Sequence, residues 1–345
     1  MGSNARYSRQ VNLPQVGSAG QQKLEAARVL VMGAGGLGCA VLPYLVASGI
    51  GHIGIIDGDV VSESNLHRQL LYTAEDIDQP KVSIAQKKLG ALNPDIQIIA
   101  ENAYLTGENA LKTVRNYDLI IDGTDAIAAR YLINDACVLA EKPFVHASIY
   151  RFQTQVSVFN YQNGPTYRCL FPSPPKEAPS CAEAGVLGTS VALAGMLQAN
   201  EVMKIILGIG DVLSGQLLLK DGLTNKQEIF RFKKNKTIQI TPESFKQEHQ
   251  HEIKRIDFAS AKAQNGIFLD VRQKQEEPVI NLPNSIQIPV QQLRDEFAQL
   301  PRETPIYIFC QSGKRSEAGY KLLAENDFKN VFCLLENAPE LEQLT

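Results

Sequence analysis

The sequence is short of net charge. Thirty-four Lys and Arg stand against 37 Asp and Glu in 345 residues, which leaves −3 overall and an isoelectric point near 6.0. That balance provides no general attraction for nucleic acid or an anionic membrane, so neither is expected as a partner. No apolar run approaches the roughly 18 to 20 residues that span a bilayer. Residues 1–10 also lack the basic-then-apolar order of a signal peptide, and a cytoplasmic location is expected. The cysteines are few and scattered, at 39, 137, 169, 181, 310 and 333, which in a reducing compartment reads as thiols and excludes a disulfide framework. The histidines form no ligand cluster, and no internal repeat or low-complexity tract occurs. An ordinary composition, 44% hydrophobic and 21% charged, excludes disordered and fibrous classes. The length suits about two domains.

What is present is an alternation of strands and helices, which argues for an α/β fold with a parallel sheet. RVLVM runs into glycines, CAVLPYLVASG continues as a buried helix despite Pro43, and HIGIID is a second strand ending in Asp57. KVSIAQKKLGAL reads as helix, IQIIAENA as strand, and YDLIIDGTD as a strand ending in polar residues. TQVSVFNY then alternates as an antiparallel strand does, and GVLGTSVALAGMLQANEVMKIILG reads as a long buried helix before a strand pair, QLLLKDG and EIFRFKK. The polar stretch 235–252 is placed as a linker, with His249 and His251 solvated in it. GIFLDVR, SIQIPV and PIYIFC, followed by SEAGYKLLAEN, repeat α/β logic on a smaller scale.

Gly33, Gly35 and Gly38 satisfy G-x-G-x-x-G between a strand and a helix, a turn that lets backbone N–H groups and a helix N-terminus approach phosphate. Asp57 follows about 20 residues later, where an acidic side chain accepts ribose hydroxyls. Taken alone these residues suit an NAD-dependent dehydrogenase. Asn65, Arg68, Gln69 and Lys81 point elsewhere, because cations near the phosphate end of a nucleotide neutralise a triphosphate and the charge of a reacting acyl phosphate, which hydride transfer does not need. Asp122 and Asp125 in IIDGTDA end a strand, and one of them can hold Mg²⁺ between phosphates.

A second chemistry sits in CQSGKRS, Cys310 to Ser316. Cys310 ends an apolar strand and precedes a helix, where converging N–H groups and the helix dipole stabilise a thiolate. Gly313 permits the tight turn among Gln311, Ser312, Lys314, Arg315 and Ser316, and Lys314 and Arg315 add positive charge. A thiolate there attacks a sulfur donor and carries a persulfide. Cys181 falls on a Pro-rich loop, PPKEAPSCAEAGV, whereas Cys39, Cys137 and Cys333 fit element interiors.

RYSRQ, GAGGLG, D-G-D-x-V-x-x-S-N-L-x-R-Q, QPK and GTD, in this order, resemble the MoeB/ThiF family, which is related to the ubiquitin-activating enzymes, over about residues 5 to 232. The resemblance implies a Rossmann-like adenylation domain with a mixed sheet that uses ATP and Mg²⁺ to adenylate the C-terminal glycine of a ubiquitin-like sulfur carrier, MoaD-like or ThiS-like. It implies that Gly33, Gly35, Gly36, Gly38, Asp57, Ser64, Asn65, Leu66, His67, Arg68, Gln69, Lys81, Asp125 and Ala126 form the nucleotide site. Arg68 and Lys81 are then catalytic, Asp125 is the magnesium ligand, and Ala126 stands where the family commonly has Asn. Arg9 resembles the arginine that reaches into a neighbouring subunit's site, which implies a homodimer. Cys181 resembles a crossover-loop cysteine that in some members joins the carrier or its sulfur.

Many relatives carry two Cys-x-x-Cys pairs suited to tetrahedral Zn²⁺. Here Thr166 and Cys169 occupy the first pair and no cysteine lies in 221–245, so no zinc site is expected. With LDVR, SIQIPV and C-x-x-G-x-R-S, the chain from about 253 resembles a small α/β rhodanese-like domain, although LLENAPEL departs from an expected glycine pair. A phosphatase loop of similar shape is one residue longer. The expected organisation is adenylation over 1–234, a linker at 235–252 and sulfur transfer over 253–345, supplied by a donor such as a cysteine desulfurase. The carrier is MoaD-like, for molybdopterin synthesis, or ThiS-like, for thiamine synthesis. A dehydrogenase and a non-catalytic binding module stay open as other classes.

Overall fold

A computed structural model describes residues 5–174, 185–249, 253–326 and 328–344. The chain divides into two compact units, Met1–Gln250 and His251–Thr345. Cys181 and His251 lie outside the described residues.

The first unit is built on an eight-stranded sheet in the order β3-β2-β1-β4-β5-β6-β7-β8. Its strands are β1 (Arg28–Met32), β2 (His52–Ile56), β3 (Gln97–Glu101), β4 (Leu119–Asp122), β5 (Phe144–Tyr150), β6 (Gln153–Phe159), β7 (Gln216–Asp221) and β8 (Gln227–Arg231). Strands β3 to β5 in that order pair in parallel, and β6, β7 and β8 join antiparallel. The near-continuous apolar runs of β1, β2 and β4 follow from burial on both faces. Because side chains alternate, Val29, Val31, Ile53, Ile55, Leu119 and Ile121 enter one core with the helices Gly36–Ala47, Lys81–Leu92 and Gly188–Leu207. Leu30, Met32, Ile56 and Ile120 enter the other, with Ala110–Arg115 and Ile127–Leu139.

Two expectations need correction. The helix Gly188–Leu207, at 20 residues, is long and apolar enough by length and composition to cross a membrane, so the sequence does contain a run of that size. It packs on β5, β6 and the Gly36–Ala47 helix, and its buried Gln198 donates to the carbonyls of Asp122 and Val145 at 2.8 and 3.2 Å. Its buried Glu201 is paired with Lys204.

The polar stretch placed in the linker also holds a helix, Pro242–His249, packed on the first unit. Phe245 is 2% exposed in the core with Tyr131 and Tyr167. His249 is not solvated: its Nε2 lies 2.7 Å from Asp135 Oδ2. Arg168 donates to both oxygens of Asp135 at 2.7 and 2.6 Å and to Glu248 at 2.5 Å. One aromatic anchor and paired charges hold this helix down, which composition alone reads as solvated.

The second unit is a five-stranded parallel sheet ordered β11-β10-β12-β13-β9. Its strands are β9 (Arg255–Ile256), β10 (Ile267–Asp270), β11 (Ser285–Gln287), β12 (Ile306–Phe309) and β13 (Val331–Leu334). Leu269, Ile306, Ile308 and Cys310 enter one core, and Phe268, Tyr307 and Phe309 the other.

Candidate functional site

In the first sheet the chain winds from β1 outward to β2 and β3, then returns to build β4 and β5 on the other side. The crossover helices therefore leave toward opposite faces, and a crevice opens at the C-terminal ends of β1 and β4, the place where ligands bind in such sheets. A cavity of about 290 Å³ lies there.

The glycine turn forms its floor. Gly33 has φ +100°, and a Cβ on it would stand 2.7 Å from the Gly123 carbonyl oxygen of the turn after β4. A Cβ on Gly38 would stand 2.1 Å from the Gly33 carbonyl oxygen, and one on Gly36 would meet Val191 at 2.7 Å. Gly35 differs, because the nearest atom to an added Cβ is Gln69 Nε2 at 3.7 Å, so the space beside it belongs to the cavity. Gly35 is also the N-cap of the helix Gly36–Ala47, with no side-chain cap, so the helix offers its first N–H groups to whatever fills the cavity.

Asp57 lines the cavity beyond β2. Its Oδ2 accepts from the Ala34 N–H and its Oδ1 from the Asp59 N–H, each at 2.7 Å. Burial pushes its carboxyl above the usual range, against the pull of these donors and Lys81. Asn65, Arg68, Gln69 and Lys81 also line the cavity. Asn65 Oδ1 accepts from Gln69 Nε2 at 2.7 Å and Arg68 Nη2 at 3.4 Å. Lys81, with 6% of its side chain exposed, donates to Asp59 Oδ2 at 3.1 Å. Ser64, Leu66 and His67 are not among the lining residues and instead brace it. The Ser64 carbonyl accepts from Arg68 at 3.2 Å, His67 Nε2 lies 2.7 Å from Arg68 Nη1, and Leu66 packs on the core.

Asp122, the last residue of β4, and Asp125, beyond it, separate. Asp122 is fully buried, accepting from the Thr124 N–H at 3.1 Å, with His146 Nδ1 at 2.6 Å and Arg130 Nε at 3.6 Å. Burial, outweighing the carboxylate beside it, holds the His146 imidazole below its usual range. Asp125 and Ala126 are exposed at the cavity, and Asp125 has no side-chain hydrogen bond or ion pair among the described residues. Its free carboxylate fits a hard cation; the committed Asp122 does not. Arg9 is exposed on the short helix Ser8–Val11 and does not line the cavity of its own chain.

Sequence reading missed Asp59, Tyr104 and Arg130. Tyr104 donates to Asp59, its ring covers Gly58, and Arg130 lines the cavity while donating to the Thr124 carbonyl at 3.2 Å. Asp59 stood in the quoted D-G-D-x-V motif and was legible there. Tyr104 and Arg130 carried no local signal.

In the second unit Cys310 follows β12, and Gly313, at φ +83°, turns the chain into the helix Lys314–Glu325. Cys310 is 1% exposed, and its Sγ accepts from the Ser316 N–H at 3.4 Å. Ser316 Oγ donates to the Gly313 carbonyl at 2.6 Å. The Ala338 N–H, from the departing LLENAPEL stretch, donates to the Cys310 carbonyl at 3.0 Å. Burial pushes the thiols of Cys39 and Cys333 up to about 12 and that of Cys137 upward as well, which suits inert core residues.

At the position of the relatives' zinc pairs, Cys169 Sγ accepts from the backbone N–H groups of Thr166 and Asn235 at 3.4 and 3.3 Å. One sulfur among these groups does not supply a tetrahedral thiolate set.

An open sheet with an uncapped helix N-terminus, buried cation and free carboxylate at its switch point defines a nucleotide-handling α/β enzyme, and the second unit adds a thiol at a helix N-terminus. The chain belongs to the ThiF family, matched over residues 7–240, and carries a rhodanese-like domain matched over residues 254–338. It is 53% identical over 225 residues to the sulfur carrier protein adenylyltransferase of Thermus thermophilus, covering 63% of this chain and 83% of that protein. It is 38% identical over 356 residues to the adenylyltransferase and sulfurtransferase MOCS3 of Aedes aegypti, with 93% and 82% covered. A probable adenylyltransferase/sulfurtransferase, MoeZ of Mycobacterium tuberculosis, is 38% identical over 355 residues, with 96% and 90% covered. A crystal structure of E. coli MccB with ATP shares the fold at TM-score 0.60 and 21% identity, covering 69% of this chain and 75% of that one. The protein is an enzyme, an adenylyltransferase and sulfurtransferase. Adenylyl transfer implies ATP use, and the dehydrogenase and binding-module readings fall away.

Proposed function

We propose that the first domain adenylates the C-terminal glycine of a ubiquitin-like sulfur carrier of the MoaD type, and that the second supplies sulfur from a Cys310 persulfide to make its thiocarboxylate. The observation that carries this reading is the joining of buried, Asp59-paired Lys81 and the open Gly35 turn in one cavity, on a chain whose relatives include a sulfur carrier protein adenylyltransferase.

Asp57 accepts the ribose hydroxyls, and the N–H groups at Gly35 and Gly36 approach the phosphates. Arg68 and Lys81 balance the charge that develops as the carrier carboxylate attacks the α-phosphorus and pyrophosphate leaves, with Asn65 orienting Arg68 and Gln69. Asp125 holds Mg²⁺, which neutralises phosphate charge. Arg9 completes the site of a partner subunit in a homodimer.

A Cys310 persulfide then attacks the acyl carbon, and AMP leaves. A second thiol, Cys181, attacks Sγ of Cys310 in the resulting acyl disulfide. The thiocarboxylate departs and a Cys181–Cys310 disulfide remains for an external dithiol to reduce. The sulfur reaches Cys310 from a donor such as a cysteine desulfurase.

Carrier-dependent ATP–pyrophosphate exchange, run in parallel with MoaD-like and ThiS-like proteins, tests the reading. Exchange with the MoaD-like carrier supports it. Exchange with the ThiS-like protein alone moves the assignment to thiamine synthesis, and exchange with neither overturns it.

A further inference from the structure

The two arginines described beside the Cys310 loop each have a carboxylate of their own. Arg272, with 1% of its side chain exposed, donates to Asp270 Oδ1 and Oδ2 at 2.9 and 2.7 Å, and its Nη1 reaches Gln311 Oε1 at 3.3 Å. Arg315, at the other end of the loop, forms a two-point pair with Glu276, whose Oε2 accepts at 2.6 Å and whose Oε1 also accepts from the Gln273 N–H at 2.9 Å. The hydrogen bonds of Arg315 hold the Glu276 carboxyl down to about 2, so it is ionised at any working pH. The hydrogen bonds from Arg315 to Glu276 outweigh the cost of burial and hold the guanidinium's proton more tightly than usual, and Arg315 stands on the same short loop as Cys310, directly before the Ser316 whose N–H reaches the Cys310 sulfur at 3.4 Å.

A guanidinium left alone beside a nucleophilic thiol favours approach of any anion, and favours a dianion more than a monoanion. Paired with a carboxylate, it presents a dipole whose field falls off faster with distance. We propose that Glu276 is a specificity-determining residue of the sulfur-transfer site, neutralising Arg315 so that the loop discriminates against dianionic thiosulfate and accepts sulfur from a persulfide bearing at most one charge. The inference rests on the reading that Cys310 is the sulfur acceptor.

Both donors transfer one sulfane sulfur with charge balanced. The Cys310 thiolate attacks the outer sulfur of thiosulfate, the S–S bond breaks, and sulfite leaves with the electron pair. With a persulfide anion, the thiolate attacks the terminal sulfur and the donor's thiolate leaves. Each route yields a Cys310 persulfide without an added oxidant or reductant.

The test uses the full-length protein, thiosulfate and cysteine persulfide as donors, and cyanide as acceptor, with thiocyanate measured above the enzyme-free rate because cyanide also takes sulfur directly from free cysteine persulfide. In Glu276→Gln, kcat/KM for thiosulfate is expected to rise on the order of tenfold, mainly through KM, and this gain is expected to shrink with added salt. The cysteine persulfide value should change less than about threefold. Glu276→Asp keeps the charge and should keep the parental donor ratio. An unchanged donor ratio in folded Glu276→Gln, or an equal fall with both donors, overturns the proposal. So does a parental protein that uses thiosulfate as efficiently as cysteine persulfide, a measurement that needs no variant. Cys310→Ala separates the two levels: if it still forms thiocyanate from both donors faster than the enzyme-free mixtures do, the Cys310 reading itself fails.

Discussion

Replacing Gly35 or Gly38 by alanine perturbs the same turn through different neighbours. At Gly38 the new methyl would stand 2.1 Å from the Gly33 carbonyl oxygen, a backbone atom. The turn must open by about 1 Å, and a misplacement of that size costs on the order of 100-fold in rate, beside roughly 1–3 kcal/mol of overpacking. At Gly35 the backbone sits at φ −77° and ψ −151°, open to any residue, and the new methyl meets nothing closer than 3.7 Å. A poorer N-cap and a stiffer unfolded chain roughly offset, so stability stays within about 1 kcal/mol. The methyl does project into the cavity where the phosphates are proposed to lie. Displacing them at about 1–3 kcal/mol lowers kcat/KM for ATP by about 5- to 150-fold. The assays are denaturant melts and carrier-dependent ATP–pyrophosphate exchange. Gly38→Ala should lose stability and exchange together, whereas Gly35→Ala should lose exchange alone. A Gly35→Ala protein that exchanges with the parental KM for ATP would refute the placement of the phosphates against this turn.

Phe245→Ala should cost about 3 kcal/mol in a denaturant melt, because the ring is 2% exposed in the core; a loss under about 1 kcal/mol would mean that the Pro242–His249 helix is not docked. Stability should fall as pH drops. Burial holds His146 below its ordinary 6.5, so below that pH the unfolded chain takes up a proton that the folded protein refuses, and the contribution present at neutral pH is lost on acidification. Burial raises Asp135, but hydrogen bonds from Arg168 and His249 outweigh it and leave the group below its ordinary 3.8, which adds a second loss in stronger acid. Urea melts between pH 8 and 5 that do not weaken would contradict the His146 part. Metal analysis of the purified protein should find no stoichiometric zinc at Cys169: one tightly held zinc per chain that is lost in Cys169→Ala would contradict the account of Thr166, Cys169 and Asn235, whereas zinc lost on replacing His249 would belong to the group Asp135, Glu248 and His249.

Local chemistry was legible wherever one short segment carries it whole. The turn from Gly33 to Gly38, the strand-end Asp57 and the Cys310 loop each need particular residues at fixed spacing, because backbone geometry within a few residues decides whether a phosphate or thiolate is accommodated. The eight-stranded sheet was legible as alternating strands and helices, including the change to antiparallel pairing at Gln153–Phe159. The Pro242–His249 helix was not, since its anchors, Asp135 and Arg168, lie far back in the chain.

The sequence by itself thus determined the two activities and the segments that form the cavity and the Cys310 loop. Only the tertiary structure decided which of Asp122 and Asp125 is free, that Lys81 is held by Asp59, that Tyr104 and Arg130 enter the cavity, and that Arg315 is already neutralised by Glu276. A side chain's availability depends on what the fold brings beside it. Those partners come from distant segments, joined by packing that no local pattern encodes.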